Sequence, residues 1–171
     1  MERLRASDSM EVRLVVSNKE DAPVHRVASD HGIESISIKK SGLGEASFLE
    51  RIRSCEPNLI VLAGFLLKIP LEFIRAFPDQ IVNIHPSLLP KYGGKGMYGR
   101  FVHEAVFKAE EKESGITVHW VNENYDEGEI IEQIKCNIEG LESAEEIGRK
   151  VQELEHTSFP EIIVKLLNNE F

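Results

Sequence analysis

A short apolar strand that runs into a proline and then into a glycine-rich loop constrains this chain more than any other feature. Ile81, Val82 and Ile84 form a β-branched run, and Pro86 ends it, having no N–H for a ladder and restricting the residue before it. Asn83 and His85 alternate with the apolar residues, so they share one face at the strand's C-terminal end. Open α/β sheets bind ligands at that end. Glycines follow at 93, 94, 96 and 99, a third of the chain's 12, concentrating flexibility beside an amide and an imidazole. Together these have the makings of a reaction site.

The flanking segments alternate between strand and helix patterns. Glu11 to Ser17 reads as a strand, and Asp21 is expected to cap a helix with Pro23 near its first position. That helix should turn Val24 and Val27 inward and end at Gly32, which suits the left-handed position after a helix. Ile33 to Ile38 has the alternation of a half-exposed strand, and Phe48, Leu49 and Ile52 lie on one face of a helix ending near Cys55. Leu59 to Ala63 is a continuous apolar run, expected to be a strand buried on both faces. A short helix covers Pro70 to Phe77, and another runs from Gly99 to Glu110, with Phe101, Val102, Ala105 and Val106 apolar.

Gly115 to Val121 and Glu129 to Asn137 are strands around an acidic loop from Asn122 to Gly128. Ser143 to Glu146 has capping-box spacing and opens a long helix with Ile147, Val151, Leu154 and Ser158 as its stripe. Such alternation predicts a doubly wound α/β fold: a mostly parallel sheet with helices on both faces. With 171 residues and no repeat or linker, a single domain over 1–171 is expected.

A formal charge of −9 argues against general binding to nucleic acid or a membrane surface, while leaving room for a local basic pocket. Cys55 and Cys136 stand alone without CxxC spacing, which fits a reducing cytoplasm and no disulfide framework. No apolar run approaches the roughly 18 residues of a spanning helix, and the polar start is no signal peptide.

Three constellations carry chemistry. An Asn83 amide can donate to a developing oxyanion, and the His85 imidazole can move a proton near neutral pH. Asn and His beside a proline also serve as turn residues that bond local backbone. Asp126 before Glu127 and Gly128 could sit beside His85 and raise its pKa; an acidic turn in solvent has the same spelling. His119, on a strand with Val118 and Val121, has the pattern of a packing histidine, and no metal-ligand motif joins His85, His119 and Asp126. The loop ends, Phe65 to Ile69 and Val121 to Asp126, could read a flat heteroaromatic ring through backbone groups, or simply pack. The glycine loop matches neither GxGxxG nor GxxxxGK[ST].

These residues also carry a family resemblance. Asn83-Ile-His85-Pro-Ser-Leu-Leu-Pro90-Lys-Tyr92, Leu62-Ala-Gly-Phe65, Gly115-Ile-Thr-Val-His119 and Asp126-Glu-Gly128 resemble the phosphoribosylglycinamide formyltransferases of the folate-dependent formyltransferase family. Ser17-Asn-Lys19 and Gln152 to His156 fit as well, so the similarity runs from about Glu11 to about Leu166.

The resemblance implies formyl transfer from 10-formyltetrahydrofolate, as co-substrate, to the amine of glycinamide ribonucleotide in purine biosynthesis. Asn83 would hold the formyl oxygen, His85 would stabilise charge and move protons, Asp126 would keep His85 basic, and His119 would support them. Leu66, Leu67, Lys68 and Ile69, with Asn122, Glu123, Asn124 and Tyr125, would bind the folate. Pro86 and Glu155 would meet the acceptor. The resemblance implies no metal, only small-molecule partners without nucleic acid or membrane, and a cytoplasmic monomer or homodimer.

One departure accompanies it. Members of the family open with a strand and a Gly/Ser/Asn-rich loop that binds the acceptor's phosphate at a helix N-terminus. No such stretch is expected between Met1 and Glu11, so the domain reads as N-terminally short, with weak acceptor binding and exposed strand edges around a slot. Two other activities fit the same residues: a folate-binding protein deficient in acceptor binding, and a formyltetrahydrofolate hydrolase.

Overall fold

The computed structural model describes residues 10–170. The expectation that no strand forms before Glu11 therefore lies almost wholly outside the described residues. Strand β1 (Val15–Ser17), helix α1 (Pro23–Asp30) and strand β2 (Ser35–Ser37) come first. Helix α2 (Ala46–Arg53), strand β3 (Ile60–Leu62), helix α3 (Leu71–Ala76) and strand β4 (Ile81–His85) follow. Helix α4 (Arg100–Lys108), strands β5 (Glu113–Trp120) and β6 (Ile130–Asn137), and helix α5 (Ala144–Leu167) complete the chain.

Strand β4 is the axis of a four-stranded sheet ordered β3-β4-β5-β6. It pairs in parallel with β3, Ile60 facing Ile81 and Leu62 facing Asn83. On its other edge it pairs antiparallel with β5, so that Asn83 faces His119 and His85 faces Thr117. Strand β6 returns antiparallel to β5, which leaves β5 alone running against the other three.

The two faces of β4 feed two cores, which is the doubly wound arrangement the alternation predicts. Ile84 packs with Val102 and Val106 of α4, Ile116 and Val118 of β5, and Ile147 and Val151 of α5. Ile81 packs on the opposite side with Phe48, Leu49 and Ile52 of α2 and Phe73 of α3. Burying each such side chain is worth about 1.5–3 kcal/mol, whereas surface pairs such as Arg26–Asp30 contribute at most about 1 kcal/mol. The cores hold the fold.

Strands β1 and β2 pair in parallel as a separate sheet, and among the described residues no strand joins β1 to β3. The two sheets still share a core, since Val16, Ile36 and Ile60 all pack against the α2–α3 cluster. The run Leu59–Ala63 is not buried on both faces, since Val61 is 36% exposed, and among the described residues β3 pairs only with β4.

Helix α1 differs from expectation too. Asp21 does not cap it; Ala22 stands at the N-cap without a side-chain bond, and Pro23 at the first position already lacks the N–H a cap would satisfy. Ala28 is the buried residue and Val27 is 42% exposed, one position off the face set by Val24 and Ala28. Phe101 is likewise turned outward on α4. At α5 Ser143 caps the helix as read, its Oγ accepting the Glu146 N–H, while Glu146 Oε2 accepts the N–H of Glu142, one residue before the cap, instead of that of Ser143.

Candidate active site

The register of β4 against β5 sets Asn83 opposite His119, and cross-strand neighbours share a face. His119 donates Nδ1–H to the Trp120 carbonyl at 2.8 Å, which leaves Nε2 as an acceptor. Asn83 Nδ2 donates one hydrogen to that nitrogen at 3.1 Å. The amide is thereby oriented with a second N–H unspent. His119, expected as a packing histidine or a support, is buried and does the orienting.

His85 lies one pleat further along the strand and is buried. Its Nε2–H donates to the Tyr92 carbonyl at 2.7 Å, so Nδ1 carries the free lone pair of the neutral ring. Asp126 Oδ2 stands 3.5 Å from that Nδ1, and Oδ1 stands 3.6 Å from His119 Nε2. The carboxylate also accepts the Gly94 N–H at 2.8 Å, tying the acidic loop to the glycine loop. Asp126 has a positive φ of 56°, a backbone form that Asp tolerates better than most residues. Gly128 makes the loop's return possible, because a Cβ there would run into the Trp120 carbonyl.

The electrostatics correct one expectation. Burial pushes the His85 imidazole below its ordinary value, and the raising pull of Asp126 and the Tyr92 carbonyl does not overcome it. His85 is therefore neutral at neutral pH rather than unusually basic. Burial opposes ionisation of Asp126 as well, but the neighbouring His119 and His85 rings, which gain a proton as the pH falls, and the Gly94 amide together hold its carboxyl below the usual range. Burial pushes the Glu155 carboxyl up.

Asn83, His85, His119 and Asp126 all line one cavity of about 860 Å³, which is within the range for enclosing a sizeable organic ligand. Pro86 and Glu155 line it too, as do Leu66, Leu67 and Lys68 from the loop after β3. Leu66 is 57% exposed there, an apolar side chain open to a ligand. Ile69 reaches the cavity wall from within the α2–α3 core, so packing accounts for most of its surface. Asn122, Asn124 and Tyr125 border the cavity and Glu123 does not. Lys68 Nζ lies 5.6 Å from the centre of the Tyr125 ring, joining the two loops expected to take a flat ring.

Two contributors escaped the sequence reading. The Tyr92 carbonyl fixes the His85 tautomer, and Tyr92 is in turn held by its hydroxyl donating to Glu111 Oε1 at 2.9 Å. His103 of α4 also lines the cavity. The alternation of apolar residues on α4 could have flagged His103 as the polar residue next to buried Val102.

This is an α/β fold with an amide, an imidazole and a carboxylate gathered at the end of a sheet strand. The model of the formyl transferase family matches residues 1–163, and the chain belongs to that family. It is 37% identical over 159 residues to the chloroplastic phosphoribosylglycinamide formyltransferase of Arabidopsis thaliana, covering 90% of this chain and 54% of that protein. The Bacillus subtilis (strain 168) phosphoribosylglycinamide formyltransferase is 36% identical over 159 residues, covering 90% of this chain and 79% of the relative. The crystal structure of phosphoribosylglycinamide formyltransferase from Anaplasma phagocytophilum superimposes with a TM-score of 0.88 at 28% identity, over 98% of this chain and 79% of that one. The chain thus spans about half the length of the plant relative.

Proposed function

We propose that this protein transfers a formyl group from 10-formyltetrahydrofolate to the amine of glycinamide ribonucleotide, a step of purine biosynthesis. One observation carries the reading: an Asn83 amide oriented by His119 and a neutral His85 facing Asp126, all in the wall of one cavity. Formyl transfer needs an oxyanion donor and a proton carrier near one carbonyl carbon, and little more.

In this reading the amine nitrogen bonds to the formyl carbon, and the second N–H of Asn83 donates to the formyl oxygen as its charge grows. His85 Nδ1 takes the proton released by the amine, and Asp126 stabilises the imidazolium. The proton then passes to the folate nitrogen as its bond to the formyl carbon breaks. The loops around Leu66 to Ile69 and Asn122 to Tyr125 hold the folate, and Pro86 and Glu155 meet the acceptor.

The test follows loss of the formyl group from the folate with and without glycinamide ribonucleotide. Transfer requires the ribonucleotide and yields its formylated product. Formate released at the same rate without it would overturn the reading in favour of hydrolysis.

A further inference from the structure

His103 lines this cavity with an imidazole that the steps above do not use. It projects from α4 against α5, where Gly148 leaves room for it: a Cβ at 148 would stand 3.0 Å from His103 Cδ2 and 3.5 Å from Nε2. Glycine inside a helix costs about 1 kcal/mol relative to alanine, so α5 gives up helix stability where it meets this ring. Nδ1 is shut off from solvent and has no hydrogen-bond partner among the described residues. Burial, and then the charge of His85, push the imidazole below its ordinary value. The ring is therefore neutral, with one N–H and one lone pair.

A buried unpaired N–H costs more than a buried lone pair, which assigns the hydrogen to Nε2. The geometry points to His103 as a further substrate-contact residue: its Nε2–H donates to an oxygen of the amine substrate along the α4–α5 wall. Glu155, on the same cavity-facing side of α5 as Gly148, lies on the acceptor side of the proposed reaction. The loops proposed to hold the folate line the same cavity from the ends of β3 and β5, not from α4 or α5. This inference rests on the formyl-transfer reading above.

The experiment compares His103→Leu and His103→Gln with the unsubstituted enzyme, measuring kcat and both KM values along with Tm. Leucine removes the donor; glutamine returns an N–H near the Nε2 position. Losing one neutral hydrogen bond should raise the KM for glycinamide ribonucleotide about tenfold in His103→Leu, with kcat and the folate KM changed less than about threefold. In His103→Gln the acceptor KM should stay within about threefold of the original. Tm should hold or rise in His103→Leu, because an unpartnered buried nitrogen is gone.

An unchanged acceptor KM in both variants overturns the inference alone, as does a rise confined to the folate KM. A fall in Tm with both KM values and kcat moving together assigns His103 to packing and also overturns it. Absence of formyl transfer by the unsubstituted enzyme overturns the parent reading and this one with it.

Discussion

The Tyr92 carbonyl accepts the Nε2–H of His85 at 2.7 Å, and this one bond decides which imidazole nitrogen faces the Asp126 carboxylate. Tyr92 adopts a positive φ of 57° to present that carbonyl, and its hydroxyl is anchored on Glu111, which also pairs with Lys91 at 2.7 Å. Removing the anchor by Tyr92→Phe should loosen the carbonyl without removing it. The expected loss in kcat is about three- to tenfold, the worth of one hydrogen bond, with both KM values little changed. Steady-state kinetics on the folded variant checks it, and a KM effect without a kcat effect would contradict it.

Asn83 and His119 act in series, so their substitutions should be unequal. Asn83→Ala removes the proposed oxyanion donor and is expected to lower kcat about 100- to 1000-fold. His119→Leu leaves the donor but frees it to rotate, for an expected loss nearer tenfold. The double variant should be no worse than Asn83→Ala, because His119 has nothing left to orient. A double variant that loses the product of both factors would show that His119 works independently.

The pH dependence follows from His85 being neutral. Its value lies below 6.5, so a rate that needs the neutral base should be flat near neutrality and fall only at lower pH. Asp126 supplies the raising influence on His85, so Asp126→Asn should move the His85 titration further down. Histidine resonances followed by NMR across pH, assigned with a His85→Gln control, give the answer. An upward shift in Asp126→Asn would contradict the arrangement.

Much of the fold was legible because periodicity reports which face is buried. The α2 stripe and the Ser143 cap appear as read, and the alternation of Asn83 and His85 on β4 carries both into the cavity. Burial of β3 was not legible, since an apolar run states what a strand could bury and not what lies beside it. The approach of Asp126 to His85 was foreseen from the family pattern; the competition between burial and charge that lowers His85 depends on depth. The roles of the Tyr92 carbonyl and of His103 depend on a backbone group and on a helix–helix contact. The first leaves no residue-type signature, and the second leaves only a polar residue beside buried Val102.

Stability should also depend on pH in a direction the buried imidazoles set. His85 and His103 both sit below their ordinary 6.5, so the unfolded chain binds more protons than the folded one in the window just below that value. Stability therefore rises with pH up to about 6.5 and falls on acidification. Asp126, held below 3.8, adds the same sign at still lower pH, while Glu155, raised above 4.5, opposes it between 4.5 and its own value. Tm measured between about pH 5 and 7 should climb, and less steeply in His103→Leu, which removes one of the two groups.

Gly128 is where the site and the scaffold meet most tightly. The chain turns back from the Asp126 loop into β6 so closely that a methyl group at 128 would overlap the Trp120 carbonyl, and the next atom it would meet outside that peptide is His119 Nδ1 at 3.4 Å. Backbone has no rotamer with which to yield, so Gly128→Ala must shift the loop or the end of β5. Overpacking of this kind costs about 1–3 kcal/mol. The shift would also part Asp126 from His85 and disturb the Trp120 carbonyl that fixes the His119 tautomer. Gly128→Ala should therefore lower both Tm and kcat, whereas Gly140→Ala, at a turn with open space around it, should lower Tm alone through its positive φ of 83°. Equal effects of the two substitutions on kcat would show that the close approach at 128 does not position the carboxylate.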